Sequence, residues 1–236
     1  MAFILSLETS TTICSAALHE DGNLLASKQL LTPQSASSQL APLIDQLVKD
    51  SKISTKEVGA VAVSSGPGSY TGLRIGVATA KGICYGLQIP LIAIGTLELM
   101  TYQVVKSSAS PSPLERGLGG EVLLCPMLDA RRMEVYCLLS DLNLNRVEPT
   151  QAKIIDEESF RELLDQKIIY FFGNGADKCR NIIKHPNAKF MGGISPSAIQ
   201  LGEMAFQKFK KGEFEDLSSF EPHYLKEFMV KKPKTV

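Results

Sequence analysis

The sequence predicts an α/β protein in which one unit, three strands followed by a helix, a strand and a second helix, is written twice. Short apolar runs alternate with stripes of helical spacing along the whole chain. The order of these elements before residue 107 recurs after residue 120. Between the copies, Ser107–Gly120 (SSASPSPLERGLGG) holds two prolines and three glycines and has no periodicity, as a linker or exposed insertion would. The expected organisation is a first half over 1–106, an insertion over 107–120 and a second half over 121–236, with the last helix and tail packing back on the first half.

Phe3–Glu8 and Ile13–His19 are apolar runs, and Glu20-Asp21-Gly22-Asn23 supplies turn chemistry before a third strand over Leu24–Leu31. Ser35–Asp50 changes to helical spacing, with Leu40, Leu43, Ile44, Leu47 and Val48 on one stripe and a kink expected at Pro42. A strand over Gly59–Ser65, a glycine-rich helix over Thr71–Leu87, a strand over Pro90–Ile94 and a helix over Thr96–Lys106 complete the first copy. In the second copy, Val122–Leu128 and Met133–Ser140 flank the charged turn Asp129-Ala130-Arg131-Arg132. A strand near Ala152–Ile155, a helix over Asp156–Leu164 and a strand over Ile168–Phe172 follow. The turn Gly173-Asn174-Gly175 leads to a further helix, and Ser195 with Pro196 at the first position opens a last one, ending near Lys211. This order resembles the plan of the actin, sugar-kinase and heat-shock-chaperone superfold, in which two ribonuclease-H-like halves face each other across a nucleotide cleft.

Composition excludes several functions. Basic and acidic side chains balance at 25 each, so no global field draws nucleic acid or an anionic membrane. The cysteines at 14, 84, 125, 137 and 179 are dispersed without CxxC spacing, which reads as reduced, buried thiols. The apolar start AFILSL has no basic leader, and no apolar stretch is long enough for a bilayer, so a soluble cytoplasmic protein is expected. His19, His185 and His223 lie far apart, without HxxxH, HExxH or a Cys/His cluster, and no GxSxG elbow occurs. No catalytic residue and no metal ligand is nominated.

Three motifs remain. Glu8-Thr9-Ser10 follows the first strand, where an acid can hold Mg²⁺ through water and hydroxyls can meet an anion; an ordinary polar turn would look the same. Gly66-Pro67-Gly68 precedes a helix N-terminus, a plausible anion site, but matches neither the Walker A pattern nor the Rossmann fingerprint. The helix itself carries two small-residue rows, Gly72–Gly76–Ala80 and Ala78–Gly82–Gly86. A glycine inside a helix costs roughly 1 kcal/mol relative to alanine, so something must come close to this backbone. Packing on the chain's own sheet uses one row, and a subunit interface explains the second better than a tightly packed interior does.

At these residues the chain resembles a known family. SLETST, SSGPGSYTGLRIGVATAKG, LDARRMEVY and EPHYLK, in that order, are similar to the bacterial TsaB family, accessory subunits in the synthesis of threonylcarbamoyladenosine on tRNA. The resemblance implies a catalytic homologue, TsaD, that transfers a threonylcarbamoyl group from its adenylate to the adenosine 3′ of the anticodon. That family's metal-binding HxxxH falls at Thr96 and Met100 here, which cannot replace two imidazoles. It further implies a non-catalytic scaffold that dimerises with TsaD, works with the ATPase subunit TsaE, forms a homodimer when alone and meets tRNA only through the complex. The expected interface is Leu40, Leu43, Ile44, Leu47, Gly72, Leu73, Gly76, Val77 and Ala80. A vestigial site for weak ATP or ADP binding is expected at Glu8, Thr9, Ser10, Gly66, Gly68, Gly173 and Gly175, with no cofactor required. The competing reading is an ATP-dependent phosphotransferase of the same superfold or, less well supported, a metallopeptidase.

Overall fold

In the computed structural model, which describes residues 1–31, 36–107 and 121–226, the repeat is explicit in the sheets. The first has the order β3-β2-β1-β4-β5, built from β1 (Phe3–Glu8), β2 (Cys14–Glu20), β3 (Asn23–Leu30), β4 (Val58–Gly66) and β5 (Leu91–Gly95). The second has the matching order β8-β7-β6-β9-β10, from β6 (Val122–Asp129), β7 (Glu134–Ser140), β8 (Arg146–Ile154), β9 (Ile168–Phe172) and β10 (Ala188–Met191). In each sheet three strands form an antiparallel meander, and two more add in parallel beside the first. This is the duplicated ribonuclease-H-like plan of the actin, sugar-kinase and chaperone superfold.

Side-chain alternation decides what covers each face. Along β1, Leu5 and Leu7 point to one side of the sheet and Ile4 to the other. The Leu5 side is covered by α1 (Ala36–Asp50), whose Leu40–Leu43–Ile44–Leu47–Val48 stripe is buried, and by α2 (Tyr70–Leu87). The Ile4 side is covered by α6 (Ala198–Lys211), which crosses back from the second half to place Leu201 and Ala205 on Ala60, Ala62, Ile92 and Ile94. Helix α3 (Thr96–Ser107) lies between the halves: Leu99 joins that cluster, whereas Leu97, Met100 and Val104 pack on Leu124, Leu128, Leu138 and Phe172. The outer face of the second sheet is closed by Phe160, Leu164 of α4 (Arg161–Leu164) and Ala176 and Cys179 of α5 (Ala176–Cys179).

Several local expectations are corrected. Strand β8 begins at Arg146 rather than near Ala152, although it contains Pro149; at a sheet edge the missing N–H can face solvent. Only Arg161–Leu164 of the helix expected over Asp156–Leu164 forms. Ser159 closes a turn on Asp156, and Phe160 takes a left-handed φ of 66°. The last helix is capped by Ser197, whose hydroxyl accepts from the Ile199 N–H at 3.2 Å, rather than by Ser195. Strand β10 had no expectation. Helix α1 continues through Pro42, on its exposed side, while Ser35 and residues 108–120 lie outside the described residues.

Helix α6 closes over a buried histidine. His19 is 0% exposed, and a Cβ at Gly202 would stand 2.1 Å from its Nδ1, so only glycine lets the helix approach. Burial lowers the imidazole pKa below its ordinary value, and Lys106 opposes protonation while Glu203 favours it. The neutral form is therefore the one the fold holds. The stabilisation is complete above the unfolded-state pKa of about 6.5 and is lost as pH falls below it. The His19 contribution, read as the urea midpoint of wild type minus that of His19→Phe, should be level from pH 8 to about 6.5 and decline below.

Candidate functional site: a closed cleft and an outward helix pair

The ends of β1 and β4 bring Glu8, Thr9, Ser10, Gly66 and Gly68 together, as the sequence suggests. Glu8 is 0% exposed; its Oε1 accepts from the Ser10 N–H at 2.6 Å. Burial raises its carboxyl pKa above the ordinary range, against the Ser10 and Ser64 hydroxyls and the Ser10 N–H, which favour the charge. The Thr9 hydroxyl donates to the Gly72 carbonyl at 2.8 Å, and the Ser69 N–H donates to the Ser10 carbonyl at 2.6 Å. Ser69 caps α2, its hydroxyl accepting from the Gly72 N–H at 3.2 Å.

The glycines report how tight this junction is. A Cβ on Gly68 would lie 2.4 Å from the Ser10 carbonyl oxygen, one on Gly72 2.1 Å from that of Thr9, and one on Gly76 2.3 Å from the Thr9 hydroxyl. Gly66 (φ +105°) lies against the carbonyl of His223, whose N–H donates to Ser65 at 2.7 Å. The close approach is thus made by the chain's own residues 9, 10 and 223. Across the molecule Gly173 (φ +97°) abuts the Met100 methyl and the Met127 carbonyl, and Gly175 abuts Leu128. The two glycine turns stand on different sheets, each packed on its own neighbours. Thr96 and Met100 are both fully buried, and among the described residues no group of three or more His, Cys, Asp and Glu is arranged to hold a metal.

Residues after α6 strap the first half. The Glu215 N–H donates to the Leu91 carbonyl at 2.9 Å, and Lys81 of α2 reaches the Phe220 carbonyl at 3.0 Å. Leu217 and Phe220 pack on the core beneath α2. A recess of about 310 Å³ between this strap and β8 is lined by Glu98, Glu215, Glu221 and His223, with Lys208 as its basic side chain. Arg146 pairs with Glu98 there at 2.6 Å, which leaves Glu215 and Glu221 facing Lys208.

Glu8→Gln tests whether the cleft does chemistry. Glutamine keeps the acceptor for Ser10 and carries no charge into the interior. Because the folded-state pKa is raised, wild-type stability falls as pH rises through the window above 4.5 up to that pKa, and the variant should lack this loss. At pH 8 the variant should be the more stable, and calorimetry should give it the same response to Mg·ATP as wild type. A large loss of Mg·ATP affinity would return Glu8 to a Mg·nucleotide role.

The residues expected at a shared surface are corrected by burial. Leu40, Leu43, Ile44, Leu47, Leu73, Val77 and Ala80 are core side chains, and Gly72 and Gly76 are buried beside Thr9. The reason is amphipathicity: an apolar stripe on a helix over a sheet faces that sheet first. What α1 and α2 present outward is Ala41, Pro42, Asp45 and Lys49 beside Arg74, Ala78, Gly82, Tyr85 and Gly86. Tyr85 is 81% exposed, and a Cβ at Gly82 or Gly86 would meet nothing within 4 Å. Of the two small-residue rows, the first is used inside the molecule and the second is open. The capping Ser69 was missed by sequence reasoning; SGPGS ahead of a helix was the available signal for it.

Comparison with known proteins agrees with this architecture. The family model of TsaD, tRNA N6-adenosine threonylcarbamoyltransferase, matches residues 30–234. The chain is 27% identical over 231 residues to the Escherichia coli tRNA threonylcarbamoyladenosine biosynthesis protein TsaB, covering 94% of each chain. It is 27% identical over 230 residues to the Bacillus subtilis protein of the same name, covering 94% of this chain and 93% of the relative. A solved structure of YeaZ from Pseudomonas aeruginosa superposes with a TM-score of 0.73 at 24% identity, over 95% of this chain and 100% of that one, which shows the shared fold. With the threonylcarbamoyltransferase model matched over most of its length and TsaB relatives aligned end to end, the chain belongs to this family, in its TsaB branch.

Proposed function

We propose that this chain is a non-catalytic subunit in threonylcarbamoyladenosine synthesis on tRNA. It pairs through the outward faces of α1 and α2 with a catalytic homologue, and it activates threonylcarbamoyl transfer to the adenosine 3′ of the anticodon. The observation that carries the reading is the open Ala78–Gly82–Gly86 row beside exposed Tyr85, next to a cleft packed by its own residues. A helix row of one alanine and two glycines permits a second helix to approach closely, and a two-fold arrangement lets the same face serve a homodimer when the partner is absent. An ATPase subunit of the TsaE type and the tRNA are met through that complex. The names of the TsaB relatives support the pathway, and buried Thr96 and Met100 support leaving catalysis to the partner.

The test is a reconstituted transfer reaction with and without this chain. Modification should require it, and calorimetry with Mg·ATP on the isolated chain should give no more than weak binding. Transfer proceeding equally well in its absence, or tight Mg·ATP binding with turnover, would replace the scaffold with the phosphotransferase reading.

A further inference from the structure

The hairpin between β6 and β7 is an over-determined loop that presents two exposed arginines. Arg131 and Arg132 both take left-handed backbone, with φ of 70° and 50°, which non-glycine residues adopt rarely and rarely in succession. Lys178 of α5 holds the loop in that shape, donating to the Arg132 carbonyl at 2.7 Å and the Glu134 carbonyl at 2.6 Å and pairing with Asp129. Asn174 adds a bond to the Asp129 N–H at 3.0 Å, and the Arg131 N–H donates to the Asp129 carboxylate at 2.9 Å. The local carboxylates are neutralised, Asp129 by Lys178 and Glu134 by Lys226. Arg131 and Arg132 are exposed and have no carboxylate partner among the described residues.

The strap links an aromatic group to that hairpin through Lys226. Tyr224 lies against Tyr70 with ring centroids 4.8 Å apart, Arg74 sits over the Tyr70 ring and donates to its hydroxyl at 2.9 Å, and Tyr224 is 36% exposed. Tyr224 and Lys226 are two residues apart, so the backbones that carry the ring-pair and ion-pair side chains are no more than about 7 Å apart. Glu221 is the acidic group near Tyr224. One short stretch of chain, residues 224–226, therefore reaches both the partly exposed ring pair on α2 and the hairpin that presents exposed Arg131 and Arg132.

We infer that this surface, Tyr224 on Tyr70 together with Arg131 and Arg132, is a direct contact for a single-stranded RNA loop. An unpaired base stacks on a tyrosine face, and arginines take the flanking phosphates; paired RNA cannot present a base in this way. The inference rests on the proposed role in tRNA modification, and it gives the chain a substrate contact of its own beyond that role.

The experiment measures binding of a fluorescent anticodon stem–loop RNA, and of a fully paired RNA of equal length, to the complex of this chain with its catalytic homologue. The variants are Arg131→Asn with Arg132→Asn, asparagine being the side chain that best tolerates left-handed backbone, and separately Tyr224→Leu. Loss of both arginines should weaken stem–loop binding about tenfold and flatten its salt dependence by about 1.4 in log–log slope, two phosphates at about 0.7 each. Tyr224→Leu should weaken it at least about fivefold with the salt slope kept. Neither should change the affinity of the chain for its partner or the binding of paired RNA. Wild-type affinity in both variants, or equal losses on stem–loop and paired RNA, would overturn the inference. If wild-type chain and homologue do not associate, the proposed function fails instead. Thermal unfolding at wild-type temperature shows that the variants are folded.

Discussion

Gly72→Ala is expected to destabilise this protein by roughly 3 kcal/mol, the reverse of the ~1 kcal/mol gain that the same change gives in an ordinary helix. The new Cβ would stand 2.1 Å from the Thr9 carbonyl oxygen, a backbone atom of a loop that is itself bonded to α2. Relief requires moving the loop away, which sacrifices the Thr9 hydroxyl bond to the Gly72 carbonyl and the Ser69–Ser10 bond, each worth about 1 kcal/mol. Gly76 separates backbone from side-chain contact: its added Cβ would meet the Thr9 hydroxyl rather than the carbonyl. In a double-mutant cycle Thr9→Ala should therefore rescue Gly76→Ala, and it should leave Gly72→Ala unrescued. Urea midpoints of the variants decide it, and Gly72→Ala at or above wild-type stability would show that the loop does not rest on the helix.

Gly82→Leu is expected to do the opposite: to leave the fold intact and weaken pairing. Nothing lies within 4 Å of a Cβ there, and leucine is the better helix former, so stability should rise by somewhat under 1 kcal/mol. On a surface that accepts a partner's helix, the added branch holds the two backbones apart at the point where they come closest. Overpacking of a closely fitted contact costs roughly 1–3 kcal/mol, about five- to 150-fold in affinity per interface. A homodimer sees the substitution on both sides, so self-association should suffer more than pairing with the catalytic homologue. Sedimentation of the isolated chain and co-purification with the homologue measure the two. Unchanged affinity in both would move the interface off α1 and α2.

These contrasting outcomes on one helix show how far the residues alone could be read. The repeat was legible because apolar runs, turn residues and helical stripes recur in one order, and side-chain periodicity is a local property. Strand β8 and the shortened α4 were not legible: Pro149 argues against a strand until the strand is known to be an edge, and Phe160 in left-handed backbone has no local signal. Glycines 72, 76, 82 and 86 announced a close approach without giving its direction. The stripe Leu40–Leu43–Ile44–Leu47 announced a buried face without saying whether the chain's own sheet or a partner would cover it.

Sequence by itself determined the twofold α/β plan and the absence of paired histidines. It also marked α2 as a helix something must touch. Only the tertiary structure decided that Thr9 touches its Gly72–Gly76 row, that the Ala78–Gly82–Gly86 row stays open, and that the strands the tail meets are β4 and β5. The physical reason is that a missing side chain records the need for space, whereas the atom that fills the space is brought by chain folding from tens of residues away.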